Sequence, residues 1–387
     1  MKISRFSTHS LARKIQLVLI PLLIIGAFIA IYKASNSAFE YYLDMTGTLI
    51  SEAFSTFSSA LDFQLVALYI LGLAICAFVF MKVRNQKVVN VDANTDENLR
   101  RRKSDNAPTF FTVTTKHFKT TALKNELTSA IFLLTVLNVL IFFVNALDIY
   151  HVWFNFEFNQ QDLKRFVHEG TYLLILSIMI SIGITLFYFR GNLNFFKNNR
   201  LLLLLSYAWL FQNVVLTFSV AVRNFWYINY YALAYKRIGV LFFLVLTLYG
   251  IFTVIQKIRQ RKNTAYLLRA NSFALYITLV SVTAFDWDTI IAKFNFNNFT
   301  KSYVDLLFMA EFADKALPYL DKSDADLAAI EKVQTEKFAF VPRFMEYDEY
   351  QKIIQSRKKS FKGKWETKGI LSWNLPESRA YEMLKTK

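Results

Sequence analysis

The feature that most limits what this chain can fold into is a recurrent apolar run of about 20 residues, the length that crosses the hydrocarbon core of a bilayer. Such runs cover about Ile15–Tyr32, Leu61–Met81, Leu127–Leu147, Thr171–Phe189, Leu201–Val222, Ile238–Ile258 and Tyr266–Phe285. In lipid, backbone N–H and C=O groups must bond within their own segment, so these runs have to be helices. Only 19% of the residues are charged, against about 25% in soluble proteins. The expected fold is all-α: a polytopic transmembrane helix bundle of about seven spans with a helical soluble C-terminal tail.

The first run is longer than the apolar stretch of a secretory signal, typically about 7–15 residues. It is therefore expected to stay as an uncleaved anchor, with Pro21 near its start. Between Phe39 and Phe57, apolar and aromatic residues recur at helical spacing. That suits an interfacial helix or a lid over the bundle, and a plain connector is the competing expectation.

Orientation follows from the cations. With the N-terminus inside, the inner segments carry Arg13, Lys14, Lys82, Arg84, Arg100–Arg102, Arg190, Arg200, Lys257, Arg259, Arg261 and Lys262 among others. The outer connectors carry only Lys33, Lys164, Arg165, Arg223, Lys236 and Arg237, a bias of more than three to one. The positive-inside rule then places the N-terminus in the cytoplasm and the tail outside the cytoplasmic membrane.

Four segments result. Residues 1–81 form the N-terminal anchor and second span with an outer interfacial segment. Residues 82–126 form a basic cytoplasmic connector, polar enough in VDANTDENLRRRKSDNAPT to be expected disordered. Residues 127–287 form a five-span membrane core, and residues 288–387 the extracytoplasmic tail. In the tail, Ser323 is a helix N-cap candidate, Asn374 followed by Pro376 is a second start signal, MEYDEYQKIIQSRKK is an amphipathic helix candidate, and Pro318 is expected to break a helix.

The formal charge of +16 is accounted for by orientation, and no nucleic-acid motif accompanies it. The one cysteine, Cys76, allows no internal disulfide or cysteine cluster, and there is no HExxH, GxxxxGK[ST] or GxGxxG. No cofactor and no metal are expected. On paper only Asp148, His151, His168 and Glu169 offer a metal set.

The candidate site is a polar cluster at the outer rim. Asp148 ends the third span, His168 and Glu169 begin the fourth, and Arg223 ends the fifth. Lys236 and Arg237 begin the sixth, and Asp286 and Asp288 end the seventh. Charges held at the edge of lipid are expected to pair, because an unpaired one costs several kcal/mol. Two roles stay open for the cluster: an electrostatic clasp between helices, or a vestibule for an anionic or zwitterionic ligand such as a lipid headgroup. Deeper amides, Asn138, Asn145, Gln212, Asn213 and Asn271, are expected to bond across helices.

Several stretches, including LNVLIFFVNALDIYHVW, LLSYAWLFQNVVLTFSVAVRNFWYINYYALAYKRIGV and YLLRANSFALYITLVSVTAFDWDTIIAKFN, resemble a family of bacterial multi-pass membrane proteins. That family is a domain of unknown function numbered four-one-seven-three. The resemblance implies a bacterial inner membrane and supplies no activity. The leading expectation is a non-enzymatic scaffold or sensor with membrane lipids around it and a cell-envelope protein as partner for the tail. The alternatives are a transporter or lipid-handling protein using the outer cluster, and a membrane-embedded transferase using Glu169, Asp286 or Asp288.

Overall fold

The computed structural model describes residues 8–46, 97–99, 120–156, 162–189, 192–196, 198–342, 344–369 and 372–386. Among them the fold is all-α, with no strand and a single isolated bridge between Asn98 and Lys262. Five helices are long and apolar enough to cross a membrane. They lie in α3 (Thr120–Asp148), continued by a π-helical turn Ile149–Phe154, α4 (Asp162–Tyr188), α5 (Arg200–Tyr231), α6 (Tyr235–Gln260) and α7 (Thr264–Thr283). Ahead of them come α1 (Thr8–Ser35) and α2 (Ser37–Thr46). The apolar part of α1 and α2 make a bent pair, 118° apart, that counts as a sixth span if taken together. The expected span at Leu61–Met81 lies outside the described residues, as does the stretch from Gly47 to Phe57.

The spans are apolar on all sides, which marks a helix that meets lipid on one face and protein on the other. In α3, Leu133, Leu137, Ile141 and Val144 recur at helical spacing and are fully buried. On the same helix Phe132, Val139, Phe142 and Phe143 are 44–62% exposed. Water does not tolerate such a face over this length, and hydrocarbon does.

The chain divides into two compact units. One comprises Met1–Phe158, Lys164–Val220 and Leu246–Ala274; the other comprises Asn159–Leu163, Ala221–Val245 and Leu275–Lys387. The tail's unit thus takes in span ends that the sequence boundary at 287/288 leaves with the membrane core.

In the first unit, Phe28 of α1 meets Trp209 of α5 edge-on, with ring centroids 5.6 Å apart. The Trp209 indole donates to the Ser181 carbonyl at 3.4 Å. Asn36 makes the α1–α2 corner. Its Oδ1 accepts from the Phe39 amide at 3.1 Å, starting α2, while its Nδ2 donates to Asp148 at 2.7 Å. One amide therefore caps a helix and ties the corner to α3.

Two described parts of the basic connector depart from the expectation of disorder: residues 120–126 belong to α3, and residues 97–99 are paired. Glu97, Asn98 and Leu99 lie against the α6–α7 turn, with the Leu99 amide donating to the Arg261 carbonyl and the Asn263 amide to the Glu97 carbonyl, both at 2.7 Å. Composition cannot reveal such pairing, because it depends on a backbone edge offered more than 160 residues away.

In the second unit, α8 (Trp287–Asn297) is followed by α9 (Leu306–Ala310), a 3-10 turn Asp314–Ala316, α10 (Leu317–Leu320), α11 (Asp324–Lys337), α12 (Tyr347–Glu366) and α13 (Leu375–Thr386). Ser323 caps α11 by accepting from the Asp326 amide at 3.1 Å, and Asn374 accepts from the Glu377 amide at 3.0 Å at the start of α13. Pro318 begins α10 instead of breaking a helix, since the first turn has no use for its missing N–H. The core joins Ile291 and Phe296 of α8, Met309, Leu317 and Leu320, Tyr350 and Ile354 of α12, and Leu384 of α13. Ile238 of α6 lies in the same core, so the tail does not rely on its own small interior.

Candidate functional site

Within the second unit, the site is built around the link between α5 and α6, VRNFWYINYYALAYKRIGV. A helix leaves its last four carbonyls without partners inside itself. At the end of α5 the Ser302 hydroxyl donates to the Asn229 carbonyl at 2.9 Å and the Tyr303 amide to the Tyr230 carbonyl at 2.8 Å. Arg237 Nη1 donates to the Tyr231 carbonyl at 2.6 Å and also to that of Ala232. Ala232 sits in the left-handed region, φ 62°, a conformation normally left to glycine. It is held there because Asn295 of α8 grips its neighbour: Leu233 N donates to Asn295 Oδ1 at 2.8 Å, and Asn295 Nδ2 donates to the Leu233 carbonyl at 3.0 Å. Ser302, Tyr303, Arg237 and Asn295 thus supply donors to the five successive carbonyls from Asn229 to Leu233. The Arg237 guanidinium lies 4.2 Å from the centre of the Tyr227 ring, and its Nε makes no hydrogen bond.

Beside this turn is a carboxylate pair. Contrary to expectation, Asp286 does not end the last span. It caps α8, accepting from the Thr289 amide at 3.4 Å and the Thr289 hydroxyl at 2.9 Å. Asp288 stands in the first turn of α8, where its charge suits the helix dipole. It accepts from the Tyr235 hydroxyl and from the Ala313 amide at 3.4 Å. Lys315 bridges the two acids, 3.0 Å from Asp286 and 3.6 Å from Asp288. The partner of these acids is therefore a tail lysine that sequence reasoning missed, and not Arg223, Lys236 or Arg237. Lys236 is exposed. Arg223 is fully buried in the second unit, and Asp148 fully buried in the first. His168 and Glu169 occupy helix positions in α4, and their side chains lie outside the description. His151 sits in the π turn with its ring 4.9 Å from that of Tyr150. Among the described residues no three His, Cys, Asp or Glu side chains converge as a metal site would.

Burial opposes the charge on Lys315, and hydrogen bonds and attraction from Asp286 and Asp288 outweigh it, raising its pKa above the ordinary lysine value. A raised folded value means the contribution is complete below the unfolded pKa, about 10.4, and is lost as pH rises through the higher folded value. Lys315→Met is expected to lower stability by about 1 kcal/mol at neutral pH, the pair being part-exposed. The deficit should vanish when unfolding is followed well above pH 10.5, and a deficit that persists there would show that lost packing, not charge, is responsible.

In the first unit several amides bond across helices. Gln212 Nε2 donates to Asn138 Oδ1 at 2.7 Å, Asn138 Nδ2 to the Leu205 carbonyl at 3.1 Å, and Asn145 Nδ2 to the Gln212 carbonyl at 3.1 Å. Together they lace α3 to α5. Asn271 of α7 donates to Thr253 of α6 at 3.0 Å. Asn213 differs: its amide donates to the Trp209 carbonyl of its own helix, at 2.8 Å.

A family model described as a domain of unknown function, DUF4153, matches residues 1–323. The chain belongs to the DUF4153 family. The resemblance noted above to a family numbered four-one-seven-three is corrected to this one. The DUF4153 match spans both units and includes Arg237, Asp286, Asp288, Asn295 and Lys315. It ends at the cap of α11, so the three longest tail helices lie beyond it. No curated protein and no solved structure matches this DUF4153 chain. The family assignment and the apolar helices together make it a multi-pass membrane protein.

Proposed function

We propose that this protein is a non-enzymatic scaffold or sensor of the bacterial inner membrane, with its N-terminus in the cytoplasm and its helical tail presented outside to a cell-envelope protein. The observation that carries this reading is the junction itself. Ser302, Tyr303 and Asn295 fasten the tail to the α5–α6 link through backbone groups and a buried amide, and Asp288 accepts from Tyr235 of α6. A module fixed in this way can hold a partner at a set position, whereas a flexible tether only concentrates it. The polar groups inside the first unit favour the same role, because Asn138, Asn145 and Gln212 spend their donors on one another and on backbone.

The test has two parts. Reporter fusions at residue 387 should report an extracytoplasmic C-terminus; a cytosolic signal removes the envelope partner from consideration. Photo-crosslinkers at exposed Lys352, Lys359 and Trp373 should then each give a discrete adduct in living cells, lost when Asn295→Ala and Tyr235→Phe loosen the junction. Solute or lipid movement catalysed by the purified protein in liposomes would replace the scaffold reading with that of a transporter.

A further inference from the structure

At the α6–α7 turn, Glu97 extends its carboxylate between two cations, with Oε2 3.4 Å from Lys262 Nζ and Oε1 3.5 Å from Arg269 Nη1. Both distances exceed the 2.7–2.9 Å of a well-made charge-assisted hydrogen bond. The carboxylate spans the two cations without closing on either. The backbone of the same segment is tightly held by its two 2.7 Å hydrogen bonds, so it is the side chain that fits loosely. A tetrahedral phosphate has more oxygens, a larger radius and more charge, and it would reach both cations at once. Lys262 immediately precedes Asn263, whose Oδ1 accepts from the Tyr266 amide at 3.1 Å in the first turn of α7. The positive end of that helix dipole therefore adds to the two side chains. The side chains of Lys262, Arg269 and Glu97 are 21%, 36% and 40% exposed, so a ligand can reach them.

We propose that Lys262 and Arg269 form a binding site for a phosphate-bearing group, and that Glu97 is its intramolecular occupant. Ligand binding and docking of residues 97–99 then exclude one another. Residues 97–99 are a strap whose position reports how much anionic phosphate is present at the membrane surface. The chemistry is common to an anionic phospholipid headgroup and to free phosphate, and the experiment separates them.

Hydrogen exchange is followed on the full chain in phosphate-free maltoside micelles, at the amides of Leu99 and Asn263, the two donors of the bridge. Adding phosphatidylglycerol is expected to speed exchange at both amides by about fivefold or more, the lower end of ordinary coupling between sites. If inorganic phosphate alone does the same, the ligand is the free ion; if only the lipid does, it is the headgroup. Glu97→Gln should tighten phosphatidylglycerol binding by a similar factor, because a competing anion is gone. K262Q/R269Q should respond to neither ligand, and Arg269→Lys, which keeps the charge, should restore part of the response and so exclude a folding defect. Exchange that neither ligand alters, or a Glu97→Gln protein that binds as the unaltered chain does, would overturn the proposal.

Discussion

Arg237→Ala is expected to destabilise the second unit by about 3–5 kcal/mol, the sum of two buried carbonyls left without donors and a lost cation–π contact. The guanidinium is the only donor described for the Ala232 carbonyl, and it also serves the Tyr231 carbonyl. Ala232 is buried and is held in a backbone conformation that its side chain disfavours. The effect should appear as a fall on the order of 10 °C in the melting of the detergent-solubilised protein. Arg237→Lys should recover no more than about half, since a single ammonium lacks the planar fork that spans two carbonyls. Full recovery by lysine would mean that charge alone matters at this position and would contradict the capping account.

Asn36→Ala is expected to cost about 3 kcal/mol, combining a lost helix cap with a buried carboxylate deprived of a donor. Asn36→Asp separates the two contributions. An aspartate keeps the oxygen that caps α2 but replaces the donor facing Asp148 with a second negative charge. If the bond to Asp148 carries most of the effect, Asn36→Asp is worse than Asn36→Ala, and the added substitution Asp148→Asn relieves it. If the cap dominates, Asn36→Asp is nearly neutral and the tie between the α1–α2 corner and α3 is energetically minor. Thermal unfolding and proteolysis within Ser37–Thr46 distinguish the two outcomes.

Sequence pattern shows most clearly where the governing interaction is local. Apolar runs of bilayer length, the cap at Ser323 and the start at Asn374 each depend on residues within one helical turn or one span. The same is not true of the junction. The sequence offers Arg237 a choice of carboxylates, whereas its partners are backbone carbonyls, which leave no mark on residue identity. Lys315 reaches acids 27 and 29 residues earlier, a separation at which no periodicity speaks. Asp286 was legible in principle: an aspartate three residues before Thr289, followed by an acid in the first turn, is a helix-start pattern. It was hidden because the apolar residues of α8 follow the last span directly and resemble its continuation. For the connector, average polarity says nothing about Glu97, Asn98 and Leu99, which find a backbone edge at the α6–α7 turn.

The stretch shared with the family stops at residue 323, whereas the apolar interior to which Leu317 and Leu320 belong also draws on Leu327, Ile330, Tyr350, Ile354, Phe361 and Leu384. The matched piece and the folding piece therefore have different edges. A protein cut at the edge of the match would present Ile291, Phe296, Leu317 and Leu320 to water as a bare greasy surface. Any relative that naturally ends there has to clothe that surface with something else.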